Sequence, residues 1–423
     1  MKILIKNALI YGENENITGD ILVNGDTIAA VGKVSPDITA DRIIDSHGKM
    51  AVPGMVNAHT HSYMSVFRNI ADDLSFNDWL FGSILPKEDM LVDEDFYNGA
   101  ALSCIEMIRS GTTCFADMHM GVIGTAQAAS DLGVRAIMSR CVVGSDRNDE
   151  GAVRRYNEHV REYEQFSGDP LITFVIAPHA IYTCGDDLLR FLMEKAQETG
   201  QGFHIHLSES RKEVADCIAQ HGCTPVKHLA DMGFFDIPTA AAHCVHVTDE
   251  DIDIMAQKGV SVLHNPRSNL KLANGIAPVA KMLAKGVNVA IGTDSQASNN
   301  NLNMYTEMSF AALLQKGVTE EPTVCSAGEV VKMATVNGAK AFGLDNLGKI
   351  EPGYKADIVL IDLDKPQFTP RNNIRAALVY SAHGTEADTV LINGEVVMDH
   401  GVITRADEER IRFNAEKSAE KYA

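Results

Sequence analysis

Apolar and polar positions change period twice along the chain. Over residues 1 to about 50, Val, Ile and Leu alternate with polar residues in the short runs ILIKNALIY, GDILVNGDTIAAVG and RIIDSHGKMAV, broken by turn residues such as Asn24-Gly25-Asp26. Alternation between such turns predicts strands joined as hairpins. The same texture returns in ADIVLIDLD (356–364) and DTVLINGEVV (388–397). The ends thus predict one composite domain, a small β-sandwich built from 1–50 and 350–423, with the rest of the chain inserted into it.

Between the ends the pattern becomes strand, helix, strand. Apolar runs recur at VPGMVNAHTH (52–61), GTTCFADMH (111–119), VRAIMSRCVV (134–143), ITFVIAPHA (172–180), GFHIHLSE (202–209), TAAAHCVHV (239–247), VSVLHNPRS (260–268) and VNVAIGTDS (287–295). Segments of helical period separate them, among them EDFYNGAALSCIEMIRSG and DDLLRFLMEKAQETG, with Gly111 and Gly200 just past the last helical positions as C-terminal caps require. Eight strand–helix units with mostly apolar strands predict an α/β fold, a closed parallel (β/α)8 TIM barrel over 51–349. The stretch TVCSAGEVVKMATVNGAKAFG predicts helices that cover the barrel after its eighth strand.

Composition narrows the function classes. The 423 residues are 45% hydrophobic and 22% charged, enough for a barrel of roughly 250 residues and a companion domain. A net charge of −20 argues against nucleic-acid and anionic-membrane partners, which need clustered Lys and Arg. No uncharged apolar stretch approaches the ~18 residues of a membrane span, and the start MKILIKNALIYG lacks a signal-peptide core. Eight cysteines without a CxxC pair read as buried thiols in a reducing cytoplasm.

The chemistry sits where the strand runs end. His59, His61, His119, His179, His206, His243, His246, His264 and Asp294 all fall there, the face on which (β/α)8 enzymes build their sites. In His59-Thr60-His61 the imidazoles are two residues apart on a strand, so they share a side and can hold one ion. His206 adds a third nitrogen and Asp294 a carboxylate oxygen, while His204 reads as a satisfied interior histidine one layer deeper. Three imidazoles and a carboxylate suit one divalent ion, Zn2+ or Fe2+, and not Mg2+ or Ca2+. Such an ion lowers the pKa of a coordinated water toward ~7. Glu209, three residues beyond His206, can then carry that proton as general base and acid. His243 can position the water or polarise the reacting bond, and Asp294 can accept a proton as well as ligate. The fourth run has no lysine for a carbamate between two metals; His179 holds that place, which argues for a single ion. Neither a phosphate-binding loop nor an HxE…PCxxC deaminase pattern occurs.

Taken together, PGMVNAHTH, HLSE, AAHCVH, HNPRSNLKLANGIAPV and IGTDSQASNNNLN resemble the amidohydrolase superfamily, and within it the 5-methylthioadenosine/S-adenosylhomocysteine deaminases. The resemblance spans nearly the whole chain. It includes RNIADDLSFNDWLFGSILPKED, which is specific to the deaminase and triazine-hydrolase branch. It implies the same ligands, His59, His61, His206 and Asp294. It further implies that Glu209 protonates the purine on its N3 side or shuttles the water's proton, and that His243 assists the water. Glu88 in LPKED matches a glutamate that bonds ribose hydroxyls, and His179 a histidine that touches substrate. Arg140 matches an arginine that clamps the homocysteine carboxylate. For a second such arginine, Arg154 is the nearest candidate, with Arg155 and Arg147 behind it. The family's aromatic residue after the fifth-strand histidine is absent here, where Leu207 and Ser208 precede Glu209.

The expected activity is hydrolytic deamination of a small-molecule nucleoside, the adenine of methylthioadenosine, S-adenosylhomocysteine or a related 5′-substituted adenosine, in a cytoplasmic protein that can be a homo-oligomer. The alternatives are hydrolysis of another ring (guanine, a pterin or an s-triazine) and a non-catalytic scaffold on the same fold.

Overall fold

The computed structural model describes residues 1–35, 37–76 and 78–422. Pro36 and Ala423 of the expected terminal domain, and Asn77 of the 68–89 motif, lie outside the described residues.

The apolar runs form the strands of a closed barrel: Met55–Thr60, Thr112–His119, Arg135–Val142, Ile172–Phe174 continued by Ala177–Pro178, Phe203–Leu207, Thr239–His243, Ser261–His264 and Asn288–Ile291. Neighbours pair in parallel, with single bridges from Ile176 to Phe203 and from Ala180 to His206 joining the fourth strand to the fifth. The fourth run is divided because its bonding switches sides. Val175 N–H donates to Met138 of the third strand, and Ile176 N–H to Gly202 before the fifth. The ring closes where Asp294 N–H donates to the His59 carbonyl at 2.9 Å, while the Asn57 amide exchanges bonds with Thr293. Helices outside and side chains inside bury both faces of these strands, so they read as continuous apolar runs.

Helices connect the strands as their period predicts. Asp93–Arg109 and Asp186–Thr199 are such connectors, the latter ended by Gly200 at φ +73°. After the eighth strand come Met304–Thr319, Ala327–Met333 and Val336–Ala341. The last of these closes the barrel floor, where Ala339 and Leu347 pack with Val56, Cys114, Ala116, Ile137 and Val175. Contact there is close enough to require glycine: a Cβ on Gly338 would lie 2.9 Å from Val56 Cβ.

The terminal segments share one continuous sheet, in the order Val402–Ile403, Glu395–Asp399, Ala387–Ile392, Ile358–Asp362, Lys49–Pro53, Lys2–Ile10, Ile17–Asn24, Thr27–Gly32, with Arg42–Asp45 paired beside Lys2–Ile10. It curls over its own core, in which Ile21, Val23 and Ile28 from one end meet Leu360 and Leu391 from the other. The edges come so near that a Cβ on Gly394 would stand 1.9 Å from the Gly25 carbonyl. Beyond the sheet, helix Glu408–Ala419 packs on Asp93–Arg109. It delivers Tyr422 into a cluster with Tyr63, Phe67 and Trp79. The end of the chain thus braces the barrel, not the sheet. All eight cysteines are free thiols, and only Cys223 among them is not buried.

Candidate active site

The first and fifth strands place His59, His61 and His206 with their rings about one point; the His59 ring centroid is 5.0 Å from both others. What each Nδ1 touches settles which nitrogen is available. His61 Nδ1 bonds the Met118 carbonyl, and His206 Nδ1 the His179 carbonyl at 3.0 Å. A carbonyl only accepts, so both Nδ1 atoms carry a proton, and in the neutral ring each Nε2 is left with a lone pair.

His59 reaches the same state through a relay. Ser139 commits its hydroxyl proton to the Asp117 carbonyl at 2.7 Å. Its oxygen can then only accept from His204 Nδ1, 3.2 Å away. That leaves His204 Nε2 as acceptor for His59 Nδ1–H at 2.9 Å. His59 Nε2 is a lone pair as well, buried and without a partner among the described residues. Burial, followed by neighbouring imidazoles, holds His59 and His206 well below the usual histidine range, so both are neutral at physiological pH.

Asp294 meets this group from the end of the eighth strand. Its Oδ1 lies 3.7 Å from His59 Nε2 and 3.4 Å from His61 Nε2. Ser268 Oγ donates to Oδ2 at 2.5 Å and Ser295 N–H to Oδ1 at 2.8 Å, which fixes the carboxylate. Opposite stand His243 and Glu209. Asn269 Oδ1 holds His243 Nδ1 at 2.8 Å, and His243 Nε2 lies 3.9 Å from Glu209 Oε2. Asn274 donates to Glu209 Oε1 at 2.9 Å. Burial raises the Glu209 carboxyl above its ordinary value. Burial alone would lower His243, but the Glu209 and Asp294 carboxylates outweigh it and raise it. Ser208, His243, Cys244 and Asp294 all have positive φ, +46° to +74°. Strain of that kind gathers at functional sites. At the fifth strand it is held by Glu213, whose carboxylate accepts Ser208 N–H at 2.7 Å and Glu209 N–H at 2.8 Å.

The donor set fits a divalent metal. Ligand-capable atoms of His59, His61 and Asp294 lie within 4.8 Å of one another, as do those of His59, His206 and His243. Neutral imidazoles with one carboxylate suit a borderline ion of the zinc type. Each imidazole is oriented through its far nitrogen, as ligating histidines are.

Above these groups opens a cavity lined among others by Glu88, His179, Glu209, His243 and Asp294, with Trp79, Met118 and Tyr182 as apolar walls. Tyr63 donates to Glu88 Oε1 at 2.5 Å, and burial raises the Glu88 carboxyl. His179 is drawn down to about 4 by burial. Thr183 directs its hydroxyl to the Ala180 carbonyl and accepts from His179 Nδ1, so His179 Nε2 faces a ligand as an acceptor. His264 also ends a strand but does not line this cavity, and neither of its nitrogens has a partner among the described residues.

The arginines sit elsewhere. Arg140 is not in the cavity lining. It pairs with Glu162 at 2.5 Å and Glu158 at 2.9 Å, and donates to the Met120 carbonyl behind the wall. Arg154 is largely exposed, its Nε 3.9 Å from Glu158, because it projects from the outer side of helix Glu150–Phe166. Arg147 pairs with Asp187 and Glu194 at the surface. Arg155 is half-buried and does not line the cavity. Sequence reasoning left Ser139, Ser268, Asn269, Asn274 and Glu213 without roles. Ser268, Asn269 and Asn274 lie in the quoted stretch HNPRSNLKLANG, where polar residues that stay buried were the available signal.

Residues 50–397 match the model of the Amidohydrolase family. The chain is 45% identical over 430 residues to the 5-methylthioadenosine/S-adenosylhomocysteine deaminase of Thermoanaerobacter pseudethanolicus, covering 99% of each chain. It is also 45% identical to the protein of that name from Acetivibrio thermocellus, over 100% of this chain and 99% of the relative. Among solved structures, an adenosine deaminase from Xanthomonas campestris with bound zinc superposes with a TM-score of 0.95 at 31% identity, over 99% and 98% of the two chains. The atrazine chlorohydrolase of Arthrobacter aurescens complexed with zinc superposes at 0.91 and 25% identity, over 99% and 100%.

Proposed function

The chain belongs to the amidohydrolase family, and on that premise we propose that it hydrolytically deaminates the adenine of 5′-thio-substituted adenosines, releasing ammonia and the inosine analogue. The observation that carries this reading is the pairing of buried Glu209 with His243 beside the three imidazole lone pairs, at the floor of a cavity that Glu88 and His179 also line. Relatives named for this deamination match the chain along its whole length.

His59, His61, His206 and Asp294 would hold one divalent ion, zinc or iron. The ion, when bound, supplies Lewis acidity that makes water an effective nucleophile at neutral pH. The other steps belong to the chain. His243, with its Nδ1 fixed by Asn269, orients the water through Nε2. Addition at C6 of the purine pushes an electron pair onto the adjacent ring nitrogen, N1. The proton that Glu209 takes from water is therefore due at N1, and not on the N3 side, which is not bonded to C6. Asp294 accepts the second proton of the water, which passes to the exocyclic amine. The C6–N bond then breaks, ammonia leaves, and C6 keeps the oxygen. Burial of Glu209 serves this cycle, since a raised carboxyl pKa lets one group both take and give a proton.

Glu88, beside Tyr63, would bind the ribose hydroxyls, and His179 Nε2 would accept from the substrate. The tail is where this chain selects. Two glutamates already occupy Arg140, so a homocysteine carboxylate would have to displace them. An uncharged methylthio group needs no such exchange and meets apolar walls. Methylthioadenosine is therefore the preferred substrate. Neither nucleic acid nor membrane enters this reading, and no helix among the described residues is long and apolar enough to cross a membrane.

Ammonia release from methylthioadenosine, S-adenosylhomocysteine, adenosine, adenine and guanine tests the proposal. Nucleosides should react in preference to free bases, with methylthioadenosine first. Turnover of a free base with none of any nucleoside would sink the substrate assignment. A specific observation would then favour the alternative ring hydrolases, since triazine hydrolases share the fold at 25% identity.

A further inference from the structure

A second cluster of metal-ligating side chains lies away from the cavity. Asp186, His221 and His228 each offer one atom, and the three atoms lie within 4.8 Å of one another. His228 Nε2 is 2.9 Å from Asp186 Oδ1, and the two imidazole rings lie with centroids 3.8 Å apart, tilted by 33° to each other. All three residues are partly buried, so solvent retains access to them. None of them lines the cavity that holds Glu209.

Three helices bring the cluster together. Asp186 is the first residue of Asp186–Thr199, His221 the last of Arg211–His221, and His228 lies in the last turn of Pro225–Asp231. Both histidines thus stand at helix C-termini, where unsatisfied carbonyls make the surroundings electronegative and favour a cation. The chain around them also carries thiols: Cys217 precedes His221, and Cys223 falls between the two histidines. Two imidazoles in contact share one carboxylate at hydrogen-bond distance. Side by side, the rings repel as cations and gain only a little as neutral groups. A shared positive ion turns the same proximity into attraction.

We propose that Asp186, His221 and His228 form a second, peripheral site for a divalent transition metal of the zinc type, with water completing its coordination. The nitrogen-rich set selects Zn2+ or a similar borderline ion over Mg2+ and Ca2+. The bound ion ties the start of one helix to the ends of two others. One of these, Arg211–His221, carries Glu213, the carboxylate that holds the backbone of Glu209. The site is structural and takes no part in the chemistry, since Glu213 itself still holds the Glu209 backbone without it.

Equilibrium dialysis of the full-length, metal-loaded protein against micromolar zinc, followed by elemental analysis, tests this. The wild type should bind one more equivalent than the active site accounts for. His228→Ala and His221→Ala should each weaken that equivalent by ten-fold or more. Both variants should fold, keep the active-site ion and retain their basal turnover. Calcium at the same concentration should not compete. A wild type that binds no further equivalent overturns the proposal, and so does a further equivalent that survives both substitutions unchanged. Neither result depends on which nucleoside the cavity accepts.

Discussion

A neutral imidazole binds a metal through the nitrogen that carries no proton, so the group touching its other nitrogen decides whether it can be a ligand. At His61 and His206 that group is a backbone carbonyl. At His59 it is a side-chain relay, Ser139 to His204 to His59. Removing the relay should leave His59 free to turn and to change tautomer. His204→Ala is expected to lower metal affinity by about 10–100-fold, read by competition with a chelator; unchanged affinity would show that the relay does not orient His59. Glu209→Gln removes a proton carrier and leaves the proposed ligands in place. Turnover should fall by about 10²–10⁴-fold with metal content unchanged, and a variant that keeps its rate would displace Glu209 from the mechanism. The proposed ligands were legible in the sequence because each ends an apolar run, a feature of one strand alone. The relay was not, because it depends on which residue of the third strand stands opposite the fifth.

At the scale of elements, acids buried at helix starts hold the loops of the site. Glu213 accepts two backbone N–H groups at the end of the fifth strand. Glu307, in the first turn of Met304–Thr319, accepts from Asn299 at 2.8 Å in the loop after the eighth. Burial raises both carboxyls to about 7. A folded-state pKa above the unfolded value means the native protein binds the extra proton. The associated stability is fully present below the unfolded value, about pH 4, and is lost as pH rises through about 7, roughly 3 kcal/mol for each group. Glu307→Gln should therefore flatten the stability–pH curve between about pH 4 and pH 7, measured by urea unfolding beside the wild type. A curve parallel to the wild type's would mean that Glu307 does not titrate there. Strand and helix existence followed from period alone. The division of the fourth strand did not, because hydrogen bonds to two neighbours decide it and a one-dimensional pattern carries neither.

For the whole molecule, the barrel followed from eight alternations of strand and helix, and the shared terminal sheet from matching textures at the two ends. The curl of that sheet and the return of the final helix to the barrel were not legible, since both depend on contacts between segments hundreds of residues apart, such as Tyr422 with Asp95 and Lys49 with Asp388. The arginines illustrate the same limit. Arg140 is easily matched to a carboxylate-binding role by its place on the third strand. That Glu162, on the following helix, already holds it emerges only when helix and strand are packed together.

A single metal-dependent site is expected to deaminate a 5′-thioadenosine. Ammonia release from methylthioadenosine should be measured with the protein as purified, after removal of its metal by chelation, and after reloading with zinc. Turnover should be lost on chelation and return with zinc, in step with one equivalent bound at the cavity. Turnover that survives complete removal of the metal, or a zinc-loaded protein that leaves methylthioadenosine unchanged, would contradict this expectation.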